Sequence, residues 1–299
     1  MTRECVFIER SFTLTMDNTA IPSVTIIGTC RVHDTLREVN EKGYINVNNG
    51  GMSTFVHSLP EIIQRLRVFS RDSKYSPEIV GLQVGVRKGV TTEPDKDFNF
   101  EETDLIVIEI STLKAIYYEN QPLQFNEVNR LLCTPHGDFG IELRKNINHA
   151  FNNNETSILL PSIPFPETVS ENHRQIIANL KPKLMNEQDI QEYLDRIYQY
   201  VKKPILFVNH INVEGVDGRK ITSRNRLCKI IQKYCTEHSF ALFEPSTLFS
   251  QHDKKTLLAK DGTDLAHYAR SGLEIVGMEQ YGKILELFNA QNSRDSSHH

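Results

Sequence analysis

A chain of 299 residues, 39% of them hydrophobic, can bury a large core as one α/β domain or a domain with an insertion, which excludes a disordered chain. Its formal charge is −4 and its charged residues, 24% of the total, are mixed in sign; no basic stripe stands ready to neutralise phosphates, so nucleic acid is not an expected partner. Arg3, Glu4, Glu9 and Arg10 break up the apolar residues of the start as no signal peptide allows, and no stretch reaches the roughly 18 apolar residues of a membrane span.

Five cysteines, Cys5, Cys30, Cys133, Cys228 and Cys235, are odd in number and form no CxxC pair, the usage of reduced thiols in a cytoplasmic protein. The expected organisation is an N-terminal extension over 1–22, an α/β domain over 23–289 with an insertion at about 115–200, and a frayed polar tail over 290–299.

In chain order, Ser23 to Gly28 is a short β-branched run ending at a glycine, and Val32 to Glu41 is helix-compatible, giving a strand, a turn and a helix. Tyr44 to Val47 and the loop Asn48-Asn49-Gly50-Gly51 read as a second strand and its exit. Ser58 to Arg71 carries Leu59, Ile62, Ile63 and Leu66 at helical spacing, with Pro60 in the first turn. Asp104 to Ile110 is an almost continuously apolar third strand of the kind covered on both faces. Tyr117 to Pro166, rich in Asn, Pro and Gly, is too long for an ordinary connection and is expected to be irregular, an insertion or lid. Glu171 to Val201 is helical with a break near Pro182; Lys203 to Val208 and Phe240 to Phe243 are strands flanking a helix over Ser223 to His238. Alternating strands and helices predict a mostly parallel five-stranded sheet flanked by helices, a three-layer, flavodoxin-like α/β fold with an insertion.

Ligands in such sheets bind beyond the carboxyl ends of the strands, and Gly28-Thr29-Cys30-Arg31 lies at one. A helix N-terminus there favours an anion, which places Cys30 like a nucleophile. The plainer reading is a buried thiol acting as a small hydrophobe. Near the other end, Asp264 and His267 lie three residues apart, so one tight turn lets the carboxylate orient the imidazole as a base; the alternative is a capping Asp beside a surface His.

Together these residues resemble the SGNH (GDSL-type) hydrolase superfamily, with Gly28-Thr29-Cys30 at its G-D-S turn, Cys30 in place of the serine, and Asp264 and His267 at its D-x-x-H. The N-x-G loop is matched by Asn48-Asn49-Gly50, which implies that the Gly50 N–H contributes to an oxyanion hole. After the third strand the pattern departs: Ser111-Thr112-Leu113-Lys114 replaces G-x-N-D, and Asn209, His210 or Asn212 would have to approach instead. The resemblance implies a catalytic set of Cys30, His267 and Asp264, and an oxyanion or substrate-binding set of Gly50, Asn49, Arg31, Ser111, Asn209, His210 and Asn212. It implies acyl transfer or hydrolysis through a thioester acyl-enzyme, with polysaccharide or natural-product assembly as its setting. No cofactor is required, though an acyl-CoA or other acyl thioester suits the chemistry as co-substrate. The expected partners are a small-molecule or glycan substrate and a second copy of the chain. The competing expectation is an inactive SGNH-like protein that holds a nucleotide-like or glycan ligand.

Other candidates are weaker. Cys133, His136, Asp138 and His149 are metal-ligand types without a completing spaced pair, so no metal is expected. His33 and Asp34 either touch substrate or face solvent. Glu109, inside an apolar strand, calls for a structural partner such as an arginine. Arg219, Lys220, Arg224 and Arg226 could hold an anionic group or simply be solvated.

Overall fold

In a computed structural model that describes residues 20–52, 54–85 and 91–296, alternate side chains of the apolar strands feed two separate core layers. The strands are β1 (Ser23–Ile27), β2 (Asn46–Val47), β3 (Leu105–Glu109), β4 (Lys114–Tyr118), β5 (Gln121–Leu123), β6 (Lys181–Leu184), β7 (Ile205–Val208) and β8 (Ala241–Phe243). Among the described residues, β2-β1-β3-β7-β8 form a five-stranded sheet whose pairings are all parallel, with Val24 opposite Leu105 and Ile106 opposite Ile205. This is the doubly wound three-layer arrangement that the sequence predicts, and it brings the carboxyl ends of the strands to one edge.

Helices α1 (Cys30–Glu41), α2 (Leu59–Phe69), α3 (Val80–Val84), α4 (Phe125–Val128), α5 (Gly137–Asn153), α6 (Glu171–Ala178), α7 (Glu187–Tyr200), α8 (Thr222–Glu237), α9 (Lys254–Leu257), α10 (Ala259–Gly262) and α11 (Arg270–Ser296) complete the chain. On one face Ile106, Ile108 and Phe207 meet Leu59, Ile62 and Leu66 of α2, Ile190 and Leu194 of α7, and Leu227 and Ile231 of α8. On the other, Leu105, Val107 and Leu206 meet Val32, Leu36 and Val39 of α1 and Val276 and Ile284 of α11. Each side chain so buried contributes about 1.5–3 kcal/mol, and the central strand β3 is apolar throughout before Glu109. Among the described residues no helix is long and apolar enough to cross a membrane.

The stretch expected to be irregular, 117–166, carries regular elements up to Asn153, and only 154–166 lacks helix and strand. β5-β4-β6 form a small antiparallel sheet, and α5 covers it with Phe139, Leu143, Ile147 and Phe151, buried at four-residue spacing in a third core. Pro182 falls inside strand β6, opposite Ile116, on an edge where its lack of an N–H costs no ladder bond. α1 starts at Cys30, two residues earlier than the sequence pattern, and α11 runs to Ser296, through residues assigned in sequence to the tail. Residues 1–19 of the expected N-terminal extension, Cys5 among them, and residues 297–299 of the tail lie outside the described residues.

Candidate functional site

The turn after β1 is built around Glu109. A methyl group on Gly28 would lie 2.8 Å from Glu109 Cβ and 2.7 Å from Val32 Cγ1, so only glycine lets β1 pass this close to the tip of β3. The Glu109 side chain is 1% exposed, and its Oε2 accepts both the Thr29 N–H (3.0 Å) and the Thr29 hydroxyl (2.5 Å). Oε1 accepts Arg31 Nε at 2.6 Å, the arginine partner that an acid in this strand requires. Cys30 is thereby fixed as the first residue of α1, at the positive end of the helix dipole. Burial nevertheless pushes its thiol up; Asp34 and Glu109 add to that, against the pull of Arg31. The resting group is a thiol.

The base candidate sits on a loop held by backbone bonds. Ala259 N–H donates to His267 O at 3.0 Å, Leu258 bridges to Tyr268, and Arg224 Nη1 donates to Leu265 O at 2.5 Å. Asp264 accepts the Ala266 N–H at 2.9 Å and faces His267 Nδ1 at 3.2 and 3.3 Å. Burial raises this carboxyl, but the Ala266 N–H, His267 and Lys260 outweigh it and hold it below the usual carboxylate range. With Nδ1 on a carboxylate, the His267 tautomer leaves Nε2 free to take a proton. Arg31 Nη1 also donates to Ala266 O at 3.2 Å, so one guanidinium ties the Cys30 turn to the His267 loop.

Both residues line a cleft of about 440 Å³ together with Arg31, Thr54, Phe55, His57, Ser111, Gln124, Asn126 and His210. Its floor is the carboxyl edge of the sheet. Further wall comes from Val84 and Gly85 at the end of α3 and from the segment after β5, where Gln124 Nε2 donates to Phe55 O at 2.5 Å. The insertion is thus latched to the loop after β2.

Of the residues expected to bind an oxyanion or substrate, Arg31, Ser111 and His210 line the cleft. Burial holds the His210 imidazole far below its ordinary pKa, and with Nδ1 against the Ile211 carbonyl (3.1 Å) its Nε2 is an acceptor. Four others stand elsewhere. Asn49 is buried and bonds both the N–H and the C=O of Ile26, at 2.8 and 3.1 Å, completing the edge of β1. Gly50, in a left-handed conformation (φ 55°), packs on Phe98 and Pro94. Asn209 is buried and donates to Glu244 Oε2 at 2.7 Å and to Cys228 O at 3.2 Å, while Asn212 donates to Asn225 Oδ1 at 3.4 Å. For Asn49 and Asn209 a backbone or buried polar group claims the amide first.

His33 lies against Phe55 with the two rings tilted by 50°, Asp34 pairs with Arg37, and Arg219 donates to Asp217 and to Thr263 O. Cys133 is buried in the insertion core, and the described residues contain no group of three or more metal-ligand side chains. Sequence reading passed over His57 and Asn126. His57 follows a short loop with no motif around it, and Asn126 sits in a segment whose composition reads as irregular; only the fold brings them to Cys30.

Residues 22–282 match the family model described as the TviD N-terminal domain. The Vi polysaccharide biosynthesis protein TviD of Salmonella typhi is 23% identical over 263 residues, covering 85% of this chain and 30% of that protein. The chain therefore spans about 30% of the length of the relative it matches. Among solved structures, the lipase/acylhydrolase from Enterococcus faecalis aligns over 88% of this chain and 95% of its own at 10% identity and a TM-score of 0.40. A catalytic mutant of an acetylxylan esterase from Geobacillus stearothermophilus aligns over 89% and 94%, at 9% identity and a TM-score of 0.33.

Proposed function

The chain belongs to the TviD N-terminal domain family, and from that premise we propose that it is an acyl-transfer enzyme working through a thioester on Cys30, with His267 as base and Asp264 as its orienting carboxylate. The observation that carries the reading is the Asp264 grip on His267 Nδ1 in the wall of the cleft that Cys30 also lines. In the first half-reaction His267 Nε2 takes the thiol proton as Cys30 Sγ attacks the carbonyl carbon, and the leaving group departs with that proton. In the second, His267 deprotonates an acceptor hydroxyl, which attacks the thioester and returns Cys30 to its thiol. Because the thiol is raised by burial, proton transfer accompanies attack and no resting thiolate is required.

An acyl-CoA or another acyl thioester is the donor, since a thioester exchanges with Cys30 at little energetic cost. A glycan hydroxyl is the acceptor, in keeping with the polysaccharide biosynthesis named for the relative; water in its place gives hydrolysis. A ligand-binding protein without turnover is the second reading, favoured by the raised Cys30 thiol. Turnover of p-nitrophenyl acetate separates them. The proposal requires release of nitrophenol that Cys30→Ala abolishes and Asp264→Asn slows by about 10²–10⁴-fold with the fold intact. Equal rates in wild type and Cys30→Ala would leave the pocket as a binding site only.

A further inference from the structure

Attack on an acyl carbonyl sends an electron pair to its oxygen, and the charge that develops there needs preorganised donors in the cleft. The Cys30 backbone N–H is one: as the first helical residue of α1 it has no carbonyl one turn back to bond. Of the side chains lining the cleft that could supply a second, most are already committed. Arg31 turns Nε to Glu109 and Nη1 to Ala266 O. Gln124 is buried and gives its amide to Phe55 O. His210 presents an acceptor. The Ser111 hydroxyl points to His57 O at 3.3 Å.

Asn126 is different. It is exposed, lines the cleft from α4 of the insertion, and lies with Nδ2 3.1 Å from His57 Nε2. The orientation of that amide follows from the network behind it. Because the Ser111 hydroxyl donates to His57 O, its oxygen is left to accept the His57 Nδ1–H at 3.2 Å. His57 Nε2 is then an acceptor and must face the amide nitrogen of Asn126, not its oxygen. Burial keeps this imidazole neutral down to a pKa of about 4, so the relay persists at ordinary pH. One Asn126 N–H is spent on His57; the other has no partner among the described residues.

We propose that the free Nδ2–H of Asn126 is the second oxyanion donor of this site, with His57 and Ser111 as the positioning residues that hold the amide nitrogen toward the cleft. The inference rests on Cys30 being the nucleophile. When Cys30 Sγ bonds the carbonyl carbon and His267 takes the thiol proton, the oxyanion is held by the Cys30 N–H and by Asn126; on collapse the pair returns to the carbonyl and the leaving group departs with the proton. Ser111, where the sequence pattern lacks an asparagine, thus acts two residues removed, and the insertion supplies the amide.

The test compares two reactions of the same thiol, one that forms an oxyanion and one that does not. Asn126→Ala lowers kcat for p-nitrophenyl acetate about 10²–10³-fold, while iodoacetamide alkylates Cys30 at the wild-type rate. Ser111→Ala gives a smaller loss confined to kcat, which Ser111→Thr restores. The exposed position of Asn126 leaves the fold unchanged, checked by thermal unfolding. Retention of kcat within about threefold in Asn126→Ala, with Cys30→Ala inactive, overturns the assignment and spares the nucleophile. Retention of turnover in Cys30→Ala overturns both.

Discussion

At the scale of single residues, the site depends on how two residues share one carboxylate. Glu109 accepts from Thr29 twice and from Arg31 once, and Arg31 passes the constraint on to Ala266, the residue before His267. Removing either member of this buried pair leaves the other uncompensated, a loss of about 3–5 kcal/mol. The same surroundings govern the thiol. Burial, with Asp34 and Glu109, lifts Cys30 above its ordinary range, and Arg31 offsets this only in part. The rate of iodoacetamide labelling of Cys30 should therefore rise with a midpoint above the free-thiol value of about 8.5. A midpoint near 7 would mean a standing thiolate–imidazolium pair and would contradict proton transfer in step with attack.

At the scale of elements, α2 carries the loop that ends in His57, and its N-terminus is tuned by a buried acid. Glu61 accepts the His57 N–H at 3.0 Å and the Ser58 hydroxyl at 2.6 Å, yet burial dominates and raises its pKa from 4.5 to about 7. Below pH 4.5 the carboxyl is protonated in both folded and unfolded chains; between 4.5 and 7 only the unfolded chain loses its proton. The contribution of Glu61 to stability is full at the acid end and lost as pH rises through 7, a fall of about 3 kcal/mol between pH 4.5 and 8. Urea unfolding of wild type and Glu61→Gln at those two pH values should show that extra fall in the wild type alone; equal falls would rule it out. The strands, α1, α2 and α8 were legible in the sequence because their apolar residues repeat with period 2 or 3.6 over uninterrupted runs. α5 was not, although Phe139, Leu143, Ile147 and Phe151 keep helical spacing, since Gly140, Asn146 and Asn148 between them carry the signals of turns. The break expected near Pro182 is real, but what lies there is an edge strand pairing with β4, a partner more than 60 residues away that local pattern does not reveal.

At the scale of the whole molecule, the parallel sheet and the small antiparallel sheet each supply part of one cleft. Cys30 and the Asp264/His267 loop come from the two ends of the α/β domain and were legible as a spaced set. Asn126 and His57 were not, because their relation to Cys30 exists only once the insertion packs against the loop after β2 through Gln124 and Phe55. Asn49 and Asn209 stand outside the cleft because the core uses their amides, Asn49 on the backbone of Ile26 in β1 and Asn209 on Glu244 and the Cys228 carbonyl. The central claim is that Cys30 carries the acyl group. Intact-protein mass spectrometry of the wild-type protein after incubation with acetyl-CoA and no glycan acceptor tests it most directly. The account predicts a single acetyl adduct that hydroxylamine removes and that Cys30→Ala eliminates. An adduct that persists in Cys30→Ala, or none in any variant that turns over ester, would contradict it.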